Sequence, residues 1–350
     1  MKKLLSIILV FMPLLSMAKD GGSCGENVTW AYVPSTGTLT IKGQGAMEDY
    51  YLRRTPWHDY LKDIKKVKIK KEVTCIGEGA FKNCTGLTSI IIPNSVTSIK
   101  YGAFENCTGL TSITIPDNVT SIGCSAFEGC SSLESIEISN SVTSIEDNTF
   151  SNCSSLRSAR IPNRVTSIGE EAFSNCSSLR IIYTPHDLTS IGDGAFSNCS
   201  SLLSIIIPHG VTSIGEKAFS NCSSLHTADI TYGVTASIGD NAFIGCSELP
   251  LIVIPSGVTS IGEGAFCGCL KLNSVRIPNS VTSIGIFAFA GCPSLKTIYT
   301  SMENGLNIPE LIFDDETYCN AILYVPKGKK AEYNNKEGWG DFINIKEMTE

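Results

Sequence analysis

Aliphatic residues recur along this chain at fixed offsets from a phenylalanine and a cysteine. Phe81, Phe104, Phe127, Phe150, Phe173, Phe196, Phe219, Phe243, Phe266 and Phe289 are each followed three residues later by a cysteine, from Cys84 to Cys292. The step is 23 residues except between Cys222 and Cys246, where it is 24 and the extra residue falls within 233–238. A strict period of this size describes stacked units, none of which buries its apolar face alone, rather than one compact core.

One unit, residues 80–102, shows what each offset predicts. Leu87, Ile90 and Ile92 form an L-x-x-I-x-I pattern whose alternation predicts a short strand. Pro93 cannot donate to a ladder and ends it; Asn94 and Ser95 favour a turn. Val96 to Ile99 predict a second short β segment. The glycine that commonly follows that isoleucine (Gly123, Gly169, Gly192, Gly215, Gly262, Gly285) predicts a left-handed or tightly turned backbone. The Ala-Phe-x-x-Cys stretch predicts a single helical or 3-10 turn held by its neighbours, being too short for a free helix. Parallel rungs ~4.8 Å apart would make a coil ~45–50 Å long.

The stack needs closed ends. Around residues 27–41, Val28, Trp30 and Tyr32 alternate, residues 34–37 turn, and Leu39 and Ile41 return, which predicts a hairpin. With Pro56, Trp57 and residues 64–69 it would close the first rung. Residues 321–325 predict a last strand, 329–338 a short helix, and Trp339 and Phe342 a seal on the core. The expected organisation is a leader at 1–18, an N-terminal capping module at 19–70, a solenoid of about ten 23-residue repeats at 71–300 and a C-terminal cap at 301–350.

Charge and composition narrow the function. Only 17% of residues are charged and the net charge is −7, which argues against nucleic acid as the main partner. Lys2 and Lys3, an apolar run at 4–15 and Ser16-Met17-Ala18 read as a cleaved secretory signal, whose loss takes the charge to −9. No other stretch is apolar and long enough to span a membrane.

The repeated A-F-x-N-C-x-x-L-x-x-I-x-I-P-x-x-V-T-S-I-G across 75–300 resembles the bacterial BspA-type leucine-rich repeat family. The ends resemble it too, in C-G-E-N-V-T-W with G-T-L-T-I-K-G-Q-G-A-M at 24–47, and in L-Y-V-P-K-G with E-G-W-G-D-F-I-N-I at 323–345. The resemblance implies a curved leucine-rich repeat solenoid, strand-rich with helical or 3-10 turns, exported to the periplasm, the surface or the medium. It also implies binding of extracellular or host proteins, as in adhesin members that attach to fibronectin and fibrinogen. It carries no catalytic motif, no cofactor and no defined contact residues.

In such folds the strands line a concave face, and the outward positions between the anchors vary along this chain while the anchors do not. The first outward column includes Glu134, Arg157, Arg180 and Leu203; the third includes Glu137, Arg160, Tyr183, Ile206, Asp229, Val253, Arg276 and Tyr299. The candidate binding residues are Arg157, Arg160, Arg180, Tyr183, Ile206, Val253, Arg276 and Tyr299, since Arg and Tyr are enriched in binding hot spots. Ile206, Leu203, Leu251 and Val253 would make an apolar patch. The plainer reading is that Glu134 and Glu137 neutralise Arg157 and Arg160.

The repeat cysteines read as a buried column of free thiols acting as small apolar fillers, with disulfides kept open by export. A Cys24–Cys75 bridge at the N-terminal cap is a further option, and the Cys267-Gly268-Cys269 spacing is a weak metal signal. His186 and His209 share one turn column with Asn94, Asp117, Asn140, Asn163, Ser256 and Asn279, so a polar turn role competes with metal capture. The sequence thus favours a non-catalytic exported protein-binding module. The competing readings are a structural envelope protein and a solenoid that binds or cleaves glycans. For cleavage the outward acids are few: Glu134, Glu137 and Asp229.

Overall fold

The computed structural model of the chain describes residues 20–231, 237–302, 308–309 and 311–349. The leader at 1–18 and residues 233–236 of the segment that holds the extra residue lie outside them. The chain winds as a leucine-rich solenoid of parallel strands, and the period read from the sequence is the period of the coil. Each repeat gives one longer strand, such as Ser158–Arg160, and one two-residue strand, such as Ser167–Ile168. Equivalent residues pair in register: Ala159 lies against Ile182, and Ile168 against Ile191. The coil extends past the ten repeats. Strands Thr38–Gly43 and Lys66–Ile69 stack before the first, and Ile322–Val325 and Asn344–Glu347 after the last, all in parallel.

One side chain per rung builds the central spine. The ten repeat phenylalanines are buried and stacked, with centroids 5.0–5.5 Å apart. Trp57 takes the phenylalanine place at the N-terminal end, 5.9 Å from Phe81, and its indole N–H donates to the Ala80 carbonyl. Phe313 continues the spine beyond Phe289 at 5.4 Å, and Phe342, Tyr318 and Trp339 close over it. The predicted hairpin is present, Val28–Val33 antiparallel to Thr38–Gly43 around a 3-10 turn at Pro34–Thr36. The two α-helices among the described residues, Asp315–Asn320 and Lys330–Asn334, both lie at the C-terminal end.

The Ala-Phe-x-x-Cys stretch departs from the expected helical or 3-10 turn. It forms hydrogen-bonded turns whose amides also bond across rungs: Phe150 N–H donates to Ala172 O and Asn152 N–H to Ser174 O, at 2.8 and 2.7 Å. Two residues per turn adopt left-handed φ, as at Asn148 and Asn152, which keeps the segment from coiling into a helix. This explains the asparagine before so many of the cysteines, because asparagine tolerates that region better than most residues. Asn152, Asn175, Asn198 and Asn221 also bond to one another side chain to side chain at 2.9–3.1 Å, a ladder that adds to rung-to-rung cohesion.

Of the two conformations expected for the glycine after the second strand, the turn is present, Ala218 N–H donating to Gly215 O at 3.3 Å, and the left-handed one is not. A Cβ on Gly215 would lie 2.5 Å from backbone atoms of Gly192 and Asp193 in the preceding rung. Glycine is needed because two backbones approach, with Gly215 N–H donating to Ile191 O at 2.9 Å. Lys100 and Glu146 stand at the equivalent place in two rungs; the ladder runs on past Lys100 but breaks at Glu146, where Ser121–Ile122 and Ser144–Ile145 belong to separate sheets. The long-strand ladder breaks elsewhere, between Ser89–Ile91 and Ser112–Thr114 and between Thr227–Ile230 and Leu251–Val253.

The column cysteines are buried, free thiols that do more than fill space. Each Sγ from Cys107 to Cys292 donates to the phenylalanine carbonyl of the preceding rung at 3.1–3.4 Å. The same carbonyl closes its own turn: Phe150 O accepts from Cys153 N–H and from the Cys176 thiol, both at 3.2 Å. A carbonyl with two lone pairs takes both. Cys24 and Cys75 are separate free thiols, and Cys75 accepts from the Ser98 hydroxyl at 3.0 Å.

Three outcomes follow from this packing. Phe173→Ala removes a ring stacked on both sides and is expected to cost about 3–5 kcal/mol, read by urea unfolding; a loss below about 1 kcal/mol would mean the spine is not a continuous packed unit. Gly215→Ala is expected to cost about 1–3 kcal/mol through backbone collision. Gly194→Asn should be near neutral, since Ser125, Glu171 and Lys217 already hold its left-handed position (φ +59° at Gly194) in other rungs; the reverse order of the two variants would refute the crowding argument. Burial pushes the thiol of Cys176 up to about 12, so at neutral pH the column should resist alkylation until denaturant is added, while exposed Cys319 reacts in the native chain. Mass spectrometry showing native labelling of the column, or bridged cysteines, would contradict this.

Candidate functional site on the strand face

The longer strands bury every second residue, so their intervening side chains share one outward face. Ser158–Arg160 and Ile181–Tyr183 both alternate exposed, buried, exposed. Register sets Arg160 against Tyr183. Tyr183 is 61% exposed, Ile206 56% and Ile181 43%, a concentration of apolar surface that the rest of the fold does not need. Together with Pro208, His186 and His209 they line a hollow of about 500 Å³. A second hollow of about 620 Å³ spans the rungs before it, with Asp117, Glu137, Asn140 and Arg160 in its wall.

The predicted neutralisation of the arginines holds for only one of them. Arg157 lies 3.6 Å from Glu134, both largely exposed, a pair worth little in water. Arg160 and Arg180 make no ion pair among the described residues, Glu137 included. At exposed positions the attraction of a neighbouring carboxylate is nearly balanced by the entropy lost in fixing both side chains, so position alone does not decide whether a pair forms. Arg160, Tyr183 and Ile206 therefore stand together on one six-stranded sheet, with Arg157 and Arg180 immediately before two of its strands.

The other candidates stand apart. Val253 and Leu251 are exposed but begin a separate sheet, and Asp229, paired with Ile206, intervenes. The predicted apolar patch is thus two patches. Arg276 and Tyr299 are engaged with each other: the guanidinium carbon lies 4.9 Å from the Tyr299 ring centre, and that ring stacks on Tyr324 at 4.8 Å. This leaves Tyr299 half-buried.

Two members of the face escaped the sequence reading. Ile181 occupies the middle outward column, where Ser89, Ser112, Ser135, Ser158 and Ser204 set the norm, so its departure from serine was a visible signal. Tyr324 follows the last repeat, beyond the periodic columns. The metal signal of Cys267 and Cys269 does not assemble. Cys269 is buried with its thiol on Phe243 O at 3.4 Å, and no group of three or more His, Cys, Asp or Glu residues is arranged for a metal among the described residues. His186 and His209 are neighbours, with ring centroids 4.4 Å apart.

Among the described residues no helix is long and apolar enough to cross a membrane. Similarity to solved structures is broad in coverage. A leucine-rich cell surface protein of Faecalibacterium prausnitzii A2-165 is 27% identical over 82% of this chain and 99% of its own, with a TM-score of 0.46. A leucine-rich repeat protein of Bacteroides ovatus ATCC 8483 is 24% identical over 93% and 99%, at 0.42. The pneumococcal vaccine antigen PcpA is 18% identical over 94% and 98%, at 0.44. No curated protein matches the chain. The family described as BspA type leucine rich repeat region matches residues 58–180, 144–237 and 236–332. With that coverage joined to the ladder of phenylalanine, cysteine and aliphatic anchors, the chain belongs to the BspA-type leucine-rich repeat family.

Proposed function

We propose that this protein is an exported, non-catalytic binding module that recognises an extracellular or host protein, adhesin-like, through the strand face around Arg160, Arg180 and Tyr183. The observation that carries the reading is the conjunction, on and at the edge of one sheet, of two guanidinium groups with no ion pair among the described residues, Arg160 and Arg180, with three exposed large apolar side chains, Ile181, Tyr183 and Ile206. Arginine and tyrosine dominate interface energetics because each offers wide contact area together with directional polar groups. The backbone beneath them is fixed by parallel pairing on both sides, so little ordering remains to be done on binding. Among the outward acids only Glu137 shares a hollow with another carboxylate, Asp117, and Arg160 stands in the same wall. Glu134 faces Arg157 and Asp229 lies beside Ile206, so neither stands opposite a second carboxylate as sugar chemistry requires. The leader-like residues 1–18 and the family support export.

The mature chain, presented to panels of matrix proteins, plasma proteins and glycans by surface plasmon resonance, is expected to bind a protein saturably. Combined Arg160→Ala, Arg180→Ala and Tyr183→Ala substitution should weaken that binding by roughly 30-fold or more, the scale of a hot spot. Arg276→Ala should leave it nearly unchanged, because that side chain is already occupied by Tyr299. Equal loss in both variants would move the contact surface elsewhere, and retention of cells' glycans instead of proteins would replace the proposed partner class.

A further inference from the structure

His186 and His209 follow the prolines that end two neighbouring long strands, and their turns close alike. Leu188 N–H donates to Pro185 O and Val211 N–H to Pro208 O, at 3.3 and 3.1 Å. The two imidazoles are therefore displayed one rung apart on the same edge, both exposed. Their centroids are 4.4 Å apart and their planes tilted by 56°. In six other rungs this column holds asparagine, aspartate or serine (Asn94, Asp117, Asn140, Asn163, Ser256 and Asn279), so the fold does not require an imidazole at either place.

We propose that His186 and His209 bind one exchangeable divalent transition-metal ion of the copper or nickel class. A metal ~2.1 Å from a ring nitrogen lies ~3.2 Å from that ring's centroid, so two imidazoles at a right angle about one ion have centroids ~4.5 Å apart. The observed separation fits that arrangement, which tetragonal copper(II) and nickel(II) favour. Asp187 supplies the orienting group: its Oδ1 lies 3.3 Å from His186 Nδ1. A carboxylate at Nδ1 holds the proton there and leaves Nε2 with its lone pair for the ion. Exposure removes most of the desolvation cost of bringing in a dication. Two protein ligands leave the remaining coordination positions to water, so the ion exchanges rather than resides. The site lies in the wall of the hollow that contains Tyr183 and Ile206, yet it depends on no protein partner and is read by the ion alone.

The test titrates nickel(II) into the untagged chain by calorimetry and reads copper(II) by electron paramagnetic resonance, in a Cys319→Ser background that removes the exposed thiol. One equivalent is expected to bind, with nitrogen coordination in the copper spectrum. His186→Asn and His209→Asn place in each turn the residue that Asn163 and Asn279 already supply in other rungs, so folding should be kept and thermal unfolding unchanged. Each should weaken binding by about tenfold or more, and Asp187→Asn by less. Unchanged binding in the double His186→Asn, His209→Asn variant would place the ion elsewhere and overturn the proposal. Failure of the parent chain to bind either ion at ~1 mM would do the same, since that affinity adds only ~4 kcal/mol.

Discussion

Parallel pairing in register is the constraint from which the rest of this protein follows. It fixes the distance between equivalent atoms of successive rungs, so one side chain must fit against its own copy over and over. Phenylalanine satisfies that condition by stacking at 5.0–5.5 Å, a little above the ~4.8 Å of the strands, through a slight offset of the rings. Cysteine satisfies it differently, by reaching to the carbonyl of the rung before. The spacing of three between the two residues then has one cause. The cysteine amide closes the turn on a phenylalanine carbonyl, and the next rung's thiol shares that oxygen.

The period, the spine, the hairpin and both seals were legible in the sequence because each depends on which residues are apolar and how far apart they stand. What was not legible was backbone conformation. Ala-Phe-x-x-Cys has the length of a helical turn, but amides bonded across rungs replace the helix, and no local pattern announces a long-range bond. The glycines misled for a related reason. A residue without a side chain suits either a left-handed turn or a close approach of backbones, and only the neighbouring rung decides between them. Here the left-handed sites accept Asn, Ser, Glu and Lys, while the crowded site accepts few substitutes.

The strand face was legible in part for an equally physical reason. Alternation along a strand identifies outward positions, and variation along a column shows which of them the fold leaves unconstrained. It does not show what a side chain does once placed there. Arg160 and Glu137 are neighbours by position and still do not pair, whereas Arg276 and Tyr299, equally promising as free contacts, are absorbed by each other and by Tyr324. Tyr324 lies outside the periodic columns, so its partnership with Tyr299 left no trace in the repeat.

The interruptions in the two strand ladders never coincide. Where long strands part company, at residues 91 to 112 and 230 to 251, the short strands Ser98–Ile99 with Ser121–Ile122 and Ser237–Ile238 with Ser260–Ile261 remain joined. Where the short strands part, at 122 to 145, Ser112–Thr114 and Ser135–Glu137 remain joined. Like staggered joints in masonry, each seam is spanned by an unbroken course beside it. A molecule built this way offers no plane along which it could split into separately standing blocks, and a pull along its axis is shared by the whole column rather than collected at one weak joint.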